Sequence, residues 1–225
     1  MLIYAKQPIY YVIKRHPKKI KTLYLAKEID KKEYSSLMKA GFNIKRIPSD
    51  AAGAMCKNAS HQGFLADVEE YKLHNYKDFL DFNFVVVLSS LSDIGNIGAI
   101  IRSAYALGVE AVVACGVKSL PLEAIIRTST GALYDMPFAI ENNIHDVLND
   151  LKMSGFTLYG ADMNGVDIRG VDIASRRVLV LGSEGEGLSQ RVVSKLDKTV
   201  SIKMSHDFDS LNVSAAGAIL MDRMR

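Results

Sequence analysis

Phe84-Val85-Val86-Val87-Leu88-Ser89-Ser90, followed closely by a helical pattern over 97–107, is the stretch that decides the fold. An unbroken apolar run bounded by serines reads as a strand buried on both faces, the habit of a parallel sheet. Outward from it the elements alternate. The helix at 97–107 ends at Gly108, a strand covers 111–114, and helices cover 123–130 and 144–152, the latter ending near Gly155. Strands over 157–162 and 178–182, a short helix over 189–195, a strand over 199–202 and a last helix over 211–224 complete the series. Strands alternating with helices imply an α/β fold with a parallel sheet covered on both faces.

Upstream, residues 8–70 read as a separate small α/β unit. Helices are expected over 9–15, 30–40 (ending at Gly41) and 49–57, with strands over 22–26 and 42–47. A closing strand over 63–68 shows apolar alternation at Phe64, Ala66 and Val68. The organisation expected is therefore 1–70 as one domain, 71–82 as a charged, tyrosine-rich linker with a helical piece at 76–82, and 83–225 as the second domain.

Length and composition set the outer bounds. A chain of 225 residues with 48% hydrophobic and 24% charged residues is ordinary for a globular protein of one large or two small domains. No run approaches the roughly 20 apolar residues of a membrane helix. The apolar start is interrupted by Lys6 and Pro8 with the basic cluster after it, the reverse of a signal peptide, so a cytoplasmic location is expected. Cys56 and Cys115 make no metal spacing, and no metal is expected. Charge is uneven: residues 1–50 hold 12 Lys/Arg against 4 Asp/Glu, leaving 16 against 21 for the rest. A basic module on a mildly acidic body fits a polyanion-holding part joined to a part with another task, with Lys14, Arg15, Lys18, Lys19 and Lys21 as the candidate phosphate-facing patch. On charge alone, a solvated basic face with no partner fits equally well.

In a sheet of this kind function gathers in loops leaving the C-terminal strand ends. Three such loops are unusual. Ser92-Asp93-Ile94-Gly95-Asn96-Ile97-Gly98 runs into Ala99-Ile100-Ile101-Arg102. Asn96 suits the helix cap, and Arg102 among apolar neighbours either pairs with a carboxylate or faces an anion. Gly182-Ser183-Glu184-Gly185-Glu186-Gly187-Leu188 follows a strand directly; its glycines free backbone groups to line a ligand. Glu184 and Glu186 argue against a phosphate there and favour a cationic ligand or one needing acceptors. The third stretch runs through Ser201-Ile202-Lys203-Met204 to Ser210-Leu211-Asn212-Val213-Ser214 and opens a helix of small residues able to approach another backbone closely. Taken singly, each reads as well as a turn or a helix cap.

Taken in order, the three stretches resemble the three motifs of the SpoU (TrmH-like) branch of the SPOUT RNA ribose methyltransferases, over about residues 84–225. Residues 1–70 resemble that family's ribosomal-protein-like RNA-binding domain, with His61-Gln62-Gly63 matching its tripeptide before the last strand. The resemblance is greatest to the type that methylates a guanosine of 23S rRNA. It implies a C-terminal trefoil knot, an S-adenosyl-L-methionine pocket and a homodimer. It places Gly182, Ser183, Ile202, Met204 and Leu211 against the cofactor and makes Asn96, Arg102, Glu184, Ser210 and Asn212 the polar active-site set. Ile94 and Lys203 stand where the family has proline, and His206 where it commonly has glycine, which bears on loop geometry.

The resemblance further implies attack of a ribose 2′-OH on a sulfonium methyl, for which positioning and proton removal are the protein's contribution. A guanidinium, with pKa above about 12, is a costly base, so Arg102 is read as a clamp on the adjacent phosphate that steadies the developing alkoxide. Rival readings are a tRNA 2′-O-methyltransferase and a binding-only ribosome-associated module. Relatives acting on tRNA tend to carry basic terminal extensions, whereas this sequence has an RNA-binding unit ahead of a last helix ending near Arg225, favouring rRNA. A nucleotide-dependent enzyme is disfavoured because neither a Gly-x-Gly-x-x-Gly after the strand at 84–88 nor a phosphate loop is present.

Overall fold

The computed structural model describes residues 1–183, 185–206 and 210–225. These form two compact units: Met1–Lys72 with Pro121–Tyr134, and Leu73–Leu120 with Asp135–Arg225.

The first unit is built on a mixed sheet of β1 (Leu2–Tyr4), β2 (Ile20–Leu25), β3 (Asn43–Arg46) and β4 (Phe64–Val68), in the order β1-β4-β2-β3. β4 is antiparallel to both neighbours, whereas β2 and β3 run parallel. The alternation at Phe64, Ala66 and Val68 does put those side chains in the core, but Leu65 is equally buried, since this central strand is covered on both faces. Helix α1 (Lys6–Arg15) tolerates Pro8 because its first turn needs no internal N–H partner. Asp30 caps α2 (Lys31–Met38) through the Glu33 N–H at 2.8 Å, and α3 (Ser49–Met55) follows. The three-residue β1 left no periodic signal in the sequence.

One helix falls in an unexpected place. α5 (Leu122–Thr128), read from sequence inside 83–225, groups with the first unit. Its Arg127 guanidinium lies over the Tyr4 ring at 5.3 Å. A few residues on, the Tyr134 hydroxyl donates to the Glu69 carbonyl at 3.2 Å. The sequence pattern shows a helix there but not which core it joins.

The second unit is a six-stranded, wholly parallel sheet. Its strands are β5 (Phe84–Ser89), β6 (Ala111–Cys115), β7 (Phe138–Glu141), β8 (Thr157–Asp167), β9 (Arg177–Leu181) and β10 (Lys198–Ser201), ordered β10-β8-β9-β5-β6-β7. The apolar run from Phe84 to Leu88 is fully buried in β5, together with Ser89. Helices α4 (Ile94–Ala106), α6 (Ile144–Met153), α7 (Gln190–Val193) and α8 (Val213–Met224) cover it. The segment expected to be a linker is packed from residue 73 onward. Tyr76 and Phe79, in a 3₁₀ turn, join the core of this unit, and the Tyr76 hydroxyl donates to Asp150 at 2.9 Å. Burial of the ring and that carboxylate partner push the Tyr76 hydroxyl up to about 12. The helical piece expected at 76–82 is present as this turn; the charge around its aromatics hid only their burial.

β8 is broken by design. β10 pairs with it at Thr199↔Gly160 and then at Val200↔Val166, so residues 161–165 leave the ladder. Gly165 permits the return: a Cβ there would meet the Val200 nitrogen at 2.6 Å. The Ser201 hydroxyl donates to the Gly165 carbonyl at 2.8 Å and holds the excursion shut at its base.

Candidate functional site

Where β8 leaves the ladder, the C-terminal ends of β8, β9 and β10 border an open cavity of about 1090 Å³. Three backbone segments contribute to its wall: the excursion 161–165, residues 182–183 and 185–188 after β9, and residues 200–204 with 210–213. Apolar surface comes from Leu181, Leu188, Ile202, Met204, Val213 and Leu220. Its charged lining, among the described residues, is Asp162, Asp167, Glu186 and Lys203.

The loop after β9 has the tightest geometry. Gly187 N–H donates to the Ser183 carbonyl at 3.0 Å, closing the turn. Gly185 and Gly187 sit at φ +87° and +66°, in the left-handed region that favours glycine. A Cβ on Gly182 would land on the backbone carbonyl of Gly187, so only hydrogen fits. Gly182, Ser183, Gly185 and Gly187 of this loop line the cavity.

The third stretch meets it from the other side. Asn212, the N-cap of α8, accepts through Oδ1 from Ser214 N at 3.0 Å and Ala215 N at 3.4 Å. One turn further, Gly217 lies against Leu181, to whose Cδ1 an added Cβ would come within 2.9 Å. Gly217 thus serves close packing inside this unit, while Ala215 on the same helix is exposed.

Helix α4 corrects one expectation. Its N-cap is Asp93, whose side chain accepts from Asn96 N at 2.7 Å, and Asn96 lies inside the first turn. Aspartate and asparagine cap equally well, so sequence alone could not choose between them. Ile94 is therefore the first helical residue, the position where proline is at home. Losing that proline leaves a helix still capped by Asp93. Asn96 is buried at 8% exposure, and its Oδ1 accepts from Asn212 Nδ2 at 2.9 Å. Arg102, further along α4, is exposed and is not among the residues lining the cavity.

Of the residues singled out by sequence, Gly182, Ser183, Ile202, Met204, Ser210, Leu211 and Asn212 line one cavity, and Asn96 is tied to it through Asn212. Glu184 lies outside the described residues. Lys14, Arg15, Lys18, Lys19 and Lys21 sit in the first unit, from the end of α1 to the start of β2. There Arg15 lies over the Tyr11 ring at 5.7 Å and Lys19 over Tyr134 at 5.2 Å. The sequence reading missed the excursion 161–165 and Asp167. The signal was present in Gly160 and Gly165, since glycines within a strand pattern mark bulges.

Electrostatics at the rim favour a held carboxylate. Arg169 grips Asp167 with Nη2 at 2.6 Å and Nε at 3.0 Å. Hydrogen bonds from the Arg169 side chain and backbone, with a smaller contribution from Lys203, lower the Asp167 carboxyl to about 2. Lys203, where the family has proline, therefore adds to the field on an acidic rim.

Residues 83–222 match the family model of the SpoU rRNA methylases, and residues 2–74 match that of the RNA 2′-O ribose methyltransferase substrate-binding domain. The chain belongs to the SpoU family. Among relatives of this SpoU chain, a Staphylococcus epidermidis protein whose name places it in the TrmH family of tRNA/rRNA methyltransferases is 34% identical over 173 residues. That match covers 73% of this chain and 70% of the relative. A similarly named Staphylococcus aureus protein is 29% identical over 93% of this chain and 89% of its own. The crystal structure of the SpoU methyltransferase AviRb from Streptomyces viridochromogenes, determined with AdoMet, superposes at TM-score 0.80. It is 25% identical, covering 100% of this chain and 88% of that one. The AdoMet-bound rRNA methyltransferase of Sinorhizobium meliloti, 21% identical, shares the fold at TM-score 0.80, with 100% and 86% covered.

Proposed function

We propose that this SpoU chain methylates a ribose 2′-OH in structured RNA with S-adenosyl-L-methionine as donor, and that its substrate is rRNA, a guanosine of 23S rRNA. The observation that carries the reading is the cavity itself. It combines a space lined in similar measure by polar and apolar groups, large enough for a nucleoside-sized ligand, with a rim of mainly negative charge. A cation with an adenosine body and an amino-acid tail fits both properties, whereas a nucleotide phosphate would meet Asp162, Asp167 and Glu186. When bound, the cofactor supplies an electrophilic methyl group on sulfur.

The chain's own residues supply the rest. Gly182 and its neighbours Ser183, Ile202, Met204 and Leu211 hold the cofactor, largely through backbone groups. Ser210 and Glu184 belong to the same polar set. Arg102, permanently charged and exposed, clamps the phosphate beside the target ribose and stabilises the oxyanion as its proton leaves. Lys14, Arg15, Lys18, Lys19 and Lys21 give the first unit its phosphate-facing surface. Pairing of two copies through the knotted second unit completes the site, and the enzyme works in the cytoplasm.

Mapping 2′-O-methyl positions in rRNA and tRNA from cells with and without the protein tests the reading. One rRNA guanosine should lose its methyl and regain it with wild-type protein but not with Arg102→Ala. Loss of a tRNA methyl with rRNA unchanged would overturn the substrate assignment.

A further inference from the structure

Asn96 and Asn212 come from distant parts of the chain and meet at one hydrogen bond, Asn212 Nδ2 to Asn96 Oδ1 at 2.9 Å. Each is anchored elsewhere. The Oδ1 of Asn212 faces the cap N–H groups of α8 and also accepts from the Ser214 hydroxyl at 2.5 Å. That fixes which end of the amide is oxygen, so the NH₂ group must point at Asn96 and needs an acceptor there. Asn96 in turn sits in the first turn of α4, its own N–H held by Asp93. The bond joins a buried acceptor, Asn96, to a donor on the exposed cap residue Asn212, so the tie runs from the interior of α4 out to the first turn of α8.

The two helices so joined have different duties. The start of α8, with Ser210, Leu211, Asn212 and Val213, is cavity wall. Helix α4 carries Arg102. We propose that the Asn96–Asn212 hydrogen bond is a clasp that sets the first turn of α8 against the cofactor pocket, and that both asparagines are positioning residues. They act through the backbone of α8 and need not touch the methyl donor or the ribose. A wall made largely of backbone can be adjusted only by moving the backbone, and small displacements of such a wall are costly to binding. The proposal rests on the assignment of this cavity to S-adenosylmethionine.

Three variants separate a clasp from two independent contacts. Asn96→Leu keeps the shape and removes the acceptor; Asn212→Ser keeps a cap oxygen and removes the donor; the third combines them. Calorimetric titration with S-adenosylmethionine, at a temperature where circular dichroism shows every variant folded, should give about tenfold weaker binding for each single variant, the scale of one part-buried hydrogen bond. The double variant should be no weaker than the worse single. Multiplying losses, about a hundredfold in the double, would overturn the clasp in favour of separate ligand contacts. Unchanged affinity in both singles would reduce the pair to a fold-stabilising contact. If wild-type protein bound no S-adenosylmethionine, the pocket assignment would fail instead. Thermal unfolding of the same proteins would then test only the coupling of α4 to α8: non-additive losses would leave a fold-stabilising contact in place of a cofactor clasp, and additive losses would remove even that.

Discussion

The two halves of the six-stranded sheet are built on different principles. On one side β9, β5 and β6 run in unbroken parallel register, and residues such as Val86, Val112 and Leu179 are fully buried. On the other, β8 leaves its ladder with β10 for five residues and returns through a glycine. The first half is held by apolar area, at roughly 25 cal/mol per Å² buried. The second is held by glycines that admit backbone against backbone and by polar ties such as Ser201 to Gly165. The cavity belongs to the second kind. A wall that must offer N–H and C=O groups to a ligand cannot be made from a continuous ladder, whose backbone groups are already paired.

The sharpest way to test this contrast is to wound each half separately. Leu179→Ala removes a fully buried side chain between Val86 and Tyr159. It should cost the second unit about 2–5 kcal/mol in urea unfolding. At low temperature the folded fraction should still bind S-adenosylmethionine with wild-type affinity. A large affinity loss in that folded fraction would show that the regular half also shapes the pocket.

Gly182→Ala should act the other way. Its methyl would occupy the place of the Gly187 carbonyl, so the loop 183–187 must shift. Overpacking of this kind costs about 1–3 kcal/mol, less than the core deletion. Cofactor binding should nevertheless fall by tenfold or more, because the displaced atoms are the wall itself. Wild-type affinity in this variant would mean the loop is not part of the binding surface.

The same division explains what the sequence could and could not reveal. Burial by apolar area leaves periodic signals, so β5, β6 and β9 were visible within a residue or two, as were α6 and α8, while α4 begins three residues before its expected start at 97. So were the glycine loop and the Ser210–Asn212 helix start, whose residue types are themselves the signal. What stayed hidden depended on partners remote in sequence. Asp93 took the cap that Asn96 suited equally well, freeing Asn96 to meet Asn212. Tyr76 and Phe79 were masked by charged neighbours, and α5 joined a core that its own pattern does not specify. The excursion in β8 was legible only as two glycines and a polar break within a strand pattern.

The smallest expected effect concerns the rim of the irregular half. Asp167 lines the cavity and is held at about 2 by Arg169, below the usual 3.8 of an aspartate. A carboxyl whose pKa falls on folding stabilises the folded state above its ordinary pKa and loses that contribution as pH drops towards the lowered value. The pair is well exposed to solvent, so its share of stability at neutral pH is slight. Its value lies in keeping one rim carboxylate charged at pH 3 to 4. Arg169→Ala should return the Asp167 titration, followed by carboxyl carbon NMR, towards the ordinary range. Unfolding at pH 7 should hardly change. If Asp167 still titrated near 2 without Arg169, Lys203 and the local backbone would be the main source of its shift. The acidic rim would then be set by the family's replaced proline rather than by the arginine grip.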